Sequence, residues 1–202
     1  MPNLASDPLL ALHGTGSSLY ALTVALEQRD PYTDEHCDRV CALAQRLGHC
    51  FDLDRDRLAN LALAARFHDI GKIGVRDTEL LYPGRLDQTQ KIRMRAHPEL
   101  GEKLFLATGR DDAVSVARLI RHHHESWDGS GYPDGLAGEA IPLEARILTV
   151  ADAFDAMTSV RPYRPPMAAR TALAVLEQES GAQVDPEVCR QLRMVLRRDP
   201  EV

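Results

Sequence analysis

Residues 122 to 135 read His-His-His-Glu-Ser-Trp-Asp-Gly-Ser-Gly-Tyr-Pro-Asp-Gly, and the rest of the chain is best interpreted from this stretch. Three adjacent imidazoles and a glutamate stand directly before a segment that holds three glycines and a proline. Histidine is a common ligand of divalent metals, whereas glycine and proline mark tight loops. The stretch therefore predicts a metal site where a helix meets a loop, although a solvated helix end with incidental histidines would have the same pattern.

Apolar residues recur at helical spacing over most of the 202 residues, and strand patterns are scarce. We expect one all-α domain at residues 31–202, preceded by a lead-in helix within residues 1–30. The predicted helix at 111–125 carries the histidine triplet to its C-terminal end. Glycine, proline and capping residues set the other predicted helices at 33–48, 56–68, 88–95, 98–107, 143–157, 168–179 and 186–197.

Composition excludes several classes of protein. The formal net charge is −6, which argues against a protein that binds the backbone of a nucleic-acid polymer. No apolar run approaches the roughly 18 residues of a membrane span, and no basic segment precedes the first apolar stretch. The four cysteines include no C-x-x-C pair, so we expect reduced thiols and a cytoplasmic protein.

Five of the eight histidines stand beside residues suited to a metal site. Taken singly, a histidine is more often a hydrogen-bonded core residue than a ligand. Together with two aspartates on successive helices, these five suit two divalent ions that share a bridging carboxylate. His123 and His124 are neighbours on the predicted helix and point about 100° apart, so both can reach one metal cluster while His122 points elsewhere. The candidate ligands are His36, His68, Asp69, His97, His123, His124 and Asp152.

Two motifs together resemble the HD-GYP family of bacterial cyclic di-GMP phosphodiesterases. They are His68-Asp69-Ile-Gly-Lys72 and His123-His124-Glu125-x-x-Asp128-Gly-x-Gly-Tyr132-Pro133. The His-Asp dipeptide is unspecific by itself, whereas the longer string is highly specific, and the likeness covers about residues 26–195. The resemblance implies an HD-domain helical bundle with a metal site in its core and a Gly-rich Gly-Tyr-Pro loop.

The resemblance also implies a role for each matching residue. The seven candidate ligands would hold two divalent ions, iron or manganese with zinc as the other option, and Asp69 would bridge them. Lys72 would contact the scissile phosphate or the attacking hydroxide, steadied by Asp155. The substrate contacts would come from Arg161, Arg164, Tyr132 and Lys72.

The charge balance favours a compact anionic substrate. Two divalent ions, two aspartates and one hydroxide leave a small positive charge, to which Lys72, Arg161 and Arg164 add. We expect a metal-activated hydroxide to open cyclic di-GMP to linear pGpG, with a second cut to GMP as an option. Two alternatives stay open. One is a cyclic di-GMP sensor or adaptor that acts through partners at the Gly-Tyr-Pro loop, such as diguanylate cyclase domains; the other is an HD hydrolase of another cyclic dinucleotide.

Two positions depart from the family pattern. Tyr32 stands where some members have a glutamate associated with a third metal, so two metals are expected. Glu35 replaces a usual glycine beside His36, and its charge either tunes that ligand or faces solvent. The amphipathic lead-in helix around Leu19–Leu26 either pairs two copies into a homodimer or packs on its own domain.

Overall fold

The computed structural model describes residues 21, 24–25, 33–160 and 165–199 of the chain. Within these ranges the prediction of an all-α fold is confirmed, since only isolated β-bridges accompany the helices. Two 3-10 helices, Ile70–Gly74 and Gly138–Ala140, lie between α-helices. The α-helices are α1 Thr33–Cys50, α2 Arg55–Phe67, α3 Asp77–Leu80, α4 Gln88–Met94, α5 His97–Leu106, α6 Ala113–His122, α7 Leu143–Thr158, α8 Ala169–Gln178 and α9 Pro186–Arg198.

Local capping explains where several helices begin. The Asp54 side chain accepts a hydrogen bond from the backbone N–H of Arg57 at the start of α2. Asp87 and Gln90 form a reciprocal capping box at the start of α4. Asp185 caps α9, whose first residue is a proline. These signals are local in sequence, which is why the predicted starts lie close to the observed ones.

The predicted helix at 111–125 was too long, because α6 ends at His122. In a continuing helix, the Asp128 N–H would donate to the carbonyl of His124; here it donates to Ala182 O at 2.9 Å instead. The His124 carbonyl accepts from the Tyr132 N–H at 3.1 Å. Tertiary hydrogen bonds of the loop therefore end the helix three residues early. The short helix α3 and the 3-10 helix after α2 were not predicted either.

The core lies between α1, α2, α6 and α7, with α5 packed against α6 and the first 3-10 helix. Leu47, Leu61, Phe67, Ile120 and Leu148 are among its fully buried side chains. Full burial of such a side chain stabilises the fold by about 1.5–3 kcal/mol. This packing brings together the C-terminal ends of α2 and α6, the start of α5, and α1 and α7, where the candidate ligands lie.

Some sequence predictions fall outside the described residues: Tyr32, Arg161, Arg164 and most of the lead-in helix, of which only residues 21 and 24–25 are described, as helical. None of the described helices is both long and apolar enough to cross a membrane. All four cysteines are free thiols. Cys37 is buried in the core, where burial raises its thiol pKa, and this environment suits a packing role.

Candidate metal centre

The structure places six of the seven candidate ligands in two adjoining clusters, and the seventh, Asp152, lies beside the first cluster. His36 and Asp152 come from α1 and α7, and His97 is the first residue of α5. The other candidates directly follow α2 and α6. In each cluster, one potential ligand atom per residue lies within 4.8 Å of the others. One cluster contains His36, His68 and Asp69, and the other contains His97, His123 and His124.

Asp69 lies between the two clusters. Its Oδ2 is 3.5 Å from His68 Nε2, and its Oδ1 is 3.4 Å from His97 Nε2. Burial alone would raise the pKa of this carboxyl group, but Lys72 and the histidines outweigh that effect and hold the pKa well below its usual range. Asp152 Oδ1 lies 3.3 Å from His36 Nε2. A carboxylate whose two oxygens face separate donor sets has the placement that a bridging ligand needs.

Three of the imidazoles are oriented by backbone carbonyls. A carbonyl oxygen only accepts hydrogen bonds, so the ring nitrogen beside it must carry the proton, and the other ring nitrogen then presents a lone pair. This assigns the proton to Nδ1 and the lone pair to Nε2. The contacts are His68 Nδ1 to Ala65 O at 2.8 Å, His97 Nδ1 to Met94 O at 2.9 Å, and His123 Nδ1 to Ile120 O at 2.6 Å.

The Nε2 atoms of the candidate ligands face one another in two close pairs, an arrangement that a bound cation would stabilise. His97 Nε2 and His123 Nε2 are 3.3 Å apart, and His36 Nε2 and His68 Nε2 are 3.4 Å apart. Burial lowers the pKa of His97 and His123, and burial, with a smaller contribution from the neighbouring His97, lowers that of His124 to about 4. Neutral His97 and His123 therefore point two lone pairs at each other. A bound cation converts that repulsion into coordination, so the residues fit divalent metal ions.

His36 differs from the other candidate ligands in its electrostatics. Burial lowers its pKa, but hydrogen bonds to the carboxylates of Asp152 and Asp155 outweigh burial and raise the pKa to about 9. Its Nδ1 lies 2.7 Å from Asp155 Oδ2. The imidazole therefore lies between two carboxylates, one on each side of the ring.

Lys72 and Asp155 both reach the centre, but they contact different groups. Lys72 Nζ donates to Asp69 Oδ2 at 2.6 Å, and its side chain is 23% exposed. The family resemblance implies that Asp155 steadies Lys72. The structure instead places the Asp155 carboxylate against His36 and against Arg39, whose Nε donates to Asp155 Oδ1 at 2.6 Å.

The Gly-Tyr-Pro loop covers one side of the second cluster. The Tyr132 ring stacks on the His124 ring with centroids 4.9 Å apart, and the Arg95 guanidinium lies 5.0 Å from the Tyr132 centroid. A Cβ on Gly131 would come within 2.2 Å of the Ser126 N atom, so only glycine allows this close approach. No sequence pattern singles out Arg95, whereas Arg39 could have been recognised because it lies three residues after His36 on one helical face.

A third group of potential ligands, His122, Glu125 and Asp134, braces this loop. Glu125 accepts backbone N–H groups from Asp134 at 2.8 Å and Leu136 at 3.0 Å. Asp134 in turn accepts from Arg121 and lies 2.9 Å from His122 Nε2. Since both carboxylates already have protein partners, we interpret this group, including His122, as structural.

Replacing Glu125 with alanine should lower the free energy of unfolding by about 2 kcal/mol, because the change leaves the two backbone N–H groups that face the buried carboxylate without an acceptor. The Glu125 residue is only 2% exposed, so water cannot readily replace the carboxylate. Urea unfolding monitored by circular dichroism measures the change. Glu139→Ala is the control, because Glu139 is an exposed glutamate that follows the same loop. Equal unfolding free energies for the two variants would contradict the bracing role.

Comparisons with known proteins agree with this geometry. A family model described as HD domain matches residues 21–188. The chain is 42% identical over 170 residues to the cyclic di-GMP phosphodiesterase response regulator RpfG of Xanthomonas campestris, covering 84% of this chain and 45% of that protein. It is 36% identical over 177 residues to the 3'3'-cGAMP-specific phosphodiesterase 3 of Vibrio cholerae, covering 87% and 38%.

A solved structure supports the fold. An HDG"Y"P protein of Bdellovibrio bacteriovorus matches with a TM-score of 0.67 at 17% identity, over 91% of this chain and 65% of that chain. At this identity the likeness bears on the fold alone. The chain spans less than half the length of the two curated relatives above.

Proposed function

This chain belongs to the HD-domain family, in its HD-GYP branch, and on that basis we propose that it is a metal-dependent phosphodiesterase acting on cyclic di-GMP. The product would be linear pGpG, with a second cut to GMP as the further step. The observation that carries the proposal is the buried Asp69 carboxylate, whose two oxygens face two separate histidine clusters. Such a pair of adjoining donor sets is typical of two-metal phosphoester hydrolases.

The proposed cofactor is a pair of divalent ions, iron or manganese, with zinc as the other option. When bound, they would supply Lewis acidity and an activated water. The imidazole-rich donor set with one shared carboxylate suits any of these metals. The first ion would be held by His36, His68, Asp69 and Asp152, and the second by Asp69, His97, His123 and His124.

The chain's own residues have separate tasks in this proposal. The backbone carbonyls beside three histidines, and Asp155 beside His36, hold the Nδ1 atoms in place and direct the Nε2 atoms inward. Lys72 Nζ lies at the centre and remains partly exposed, so it can donate a hydrogen bond to a phosphate oxygen of the substrate. Tyr132 covers His124 and limits the access of water to that side. Arg161 and Arg164 are proposed to bind the substrate phosphates.

The cellular setting belongs to the same proposal. Relatives that act on cyclic dinucleotides come from bacteria, so we propose a bacterial cytoplasmic location. We also propose a homodimer, and protein partners such as diguanylate cyclase domains at the Gly-Tyr-Pro loop.

Metal-loaded protein should convert cyclic di-GMP to pGpG under anaerobic conditions, whereas protein treated with a chelator should not. The measurement is product formation by chromatography alongside the metal content of each chain. A parallel reaction with 3'3'-cGAMP is informative, because a relative 36% identical to this chain is named for that substrate. Faster turnover of 3'3'-cGAMP would reassign the substrate and keep the reaction class. Binding of cyclic di-GMP without cleavage would favour the sensor or adaptor.

A further inference from the structure

We propose that Arg39 and Asp155 form a positioning pair for His36 and set the affinity of only one of the two metal ions. This inference rests on the metal centre of the proposed function, but not on its substrate. Asp155 Oδ2 lies 2.7 Å from His36 Nδ1. Arg39 donates to the same carboxylate twice, from Nε to Oδ1 at 2.6 Å and from Nη2 to Oδ2 at 3.3 Å. Ser159 Oγ adds a third donor, at 2.9 Å from Oδ1.

The pair is distinctive because other candidate ligands are oriented by the backbone. The Nδ1 atoms of His68, His97 and His123 each contact a carbonyl oxygen three residues earlier in the chain. A carbonyl is neutral, and the main chain holds it in place. A carboxylate is charged and mobile, and it makes the imidazole that donates to it a stronger metal ligand. The ion beside His36 therefore depends on side chains that substitutions can change without altering the main chain.

Arg39 has two effects on Asp155. Its guanidinium neutralises a carboxylate that is 5% exposed, which would be expensive to bury without a partner. Its two hydrogen bonds also fix the plane of the carboxylate, so that Oδ2 faces His36 and does not rotate toward a metal ion.

The register of two packed helices produces the arrangement. His36 and Arg39 are three residues apart on α1, and Asp152 and Asp155 are three residues apart on α7, so each pair shares one helical face. Packing of α1 against α7 then brings Asp152 to His36 Nε2 and Asp155 to His36 Nδ1. Glu35 lies 3.7 Å from Arg39 Nη1, but its side chain is almost fully exposed, so we assign it no role in the pair.

The test uses Arg39→Met and a closely matched control, Arg57→Met. Arg57 Nε donates at 2.6 Å to Glu144, which also belongs to α7, and the side-chain exposures of Arg57 and Arg39 are 46% and 45%. Binding of Mn²⁺ alone is measured by competition with a chromophoric chelator. We expect Arg39→Met to lower the affinity for one of the two Mn²⁺ ions by about tenfold and to leave the affinity for the other unchanged. A loss of this size is typical when a residue that hydrogen-bonds to a metal ligand is removed. Arg57→Met should bind both ions as the wild type does.

Two further readouts separate positioning from folding. With one Mn²⁺ added per chain, electron paramagnetic resonance should show a larger fraction of isolated Mn²⁺ in Arg39→Met than in the wild type. Both metal-free variants should keep a cooperative melting transition, and Arg39→Lys, which keeps the positive charge beside Asp155, should restore part of the lost affinity.

Equal Mn²⁺ affinities for Arg39→Met and Arg57→Met would overturn the inference. The inference would also be overturned if Arg39→Met lost affinity for both ions equally and its metal-free form melted at a lower temperature. That result would indicate a structural role. Wild-type protein that binds two Mn²⁺ ions without turning over cyclic di-GMP would remove the proposed activity. The expected Arg39→Met result would support the positioning role even then.

Discussion

We expect Asp69→Ala to abolish the proposed turnover of cyclic di-GMP and to leave the purified protein without the proposed pair of metal ions. The two oxygens of this carboxylate lie 3.5 Å from His68 Nε2 and 3.4 Å from His97 Nε2, so its loss removes a ligand from both clusters at once. It also leaves Lys72 without the carboxylate to which it donates at 2.6 Å. The measurements are product formation by chromatography and metal content by mass spectrometry.

Two companion variants make this result specific. Asp69→Asn keeps the size of the side chain and removes its charge, and it should lose the metal pair as well. Asp38→Asn removes the same charge from an aspartate that is 71% exposed and paired with Arg66, and it should behave as the wild type does. Full turnover by Asp69→Ala with two ions still bound would refute the assignment of Asp69 as the bridging ligand.

Gly71→Ala should lower the free energy of unfolding by about 3 kcal/mol or more, at the upper end of the usual penalty for overpacking. A Cβ at Gly71 would lie 1.9 Å from His97 O and 2.5 Å from the Gly101 N atom. Both are main-chain atoms of α5, so relief requires the 3-10 helix and α5 to move apart. That movement would separate Asp69 from His97, and we therefore expect weaker metal binding together with the lower stability. Urea unfolding and metal content measure the two effects.

Gly74→Ala is the matched control, because it adds the same methyl group within the same 3-10 helix. Its Cβ would meet Leu100 Cδ1 at 2.9 Å, and the end of a leucine side chain can shift by rotation. We expect a loss of about 1 kcal/mol and unchanged metal content. Neither glycine adopts a positive φ, so the comparison is one of space alone. Equal losses in both variants would show that the close contact at Gly71 does not position the two elements.

The helices illustrate how far sequence patterns extend. The observed helix starts lie close to the predicted ones, because the capping hydrogen bonds of Asp54, Asp87 and Asp185 involve residues within one turn. The end of α6 was misplaced because residues distant in sequence end it. The Asp128 N–H donates to Ala182, which no local pattern reveals.

The loop after α6 likewise combines a turn that the sequence predicts with contacts that only the structure reveals. Its glycines and proline predicted a tight turn, and the close approach at Gly131 agrees with that expectation. The partner of the Glu125 carboxylate was not apparent from the sequence, since glutamate after two histidines suits a metal site as well as a loop brace. The hydrogen bonds to Asp134 and Leu136 identify the brace.

In the candidate metal centre, the sequence predicts the ligands, whereas the tertiary structure decides which groups orient them. Residue types and short spacings were enough to predict which histidines and aspartates could serve as ligands, because the ability to bind a metal belongs to the side chain itself. The group that orients each imidazole depended on packing. His36 and Asp155 are 119 residues apart in the sequence and meet only because α1 packs against α7. Backbone carbonyls orient His68, His97 and His123, whereas a carboxylate held by an arginine orients His36, and hydrogen bonds between distant helices are a property of the folded chain.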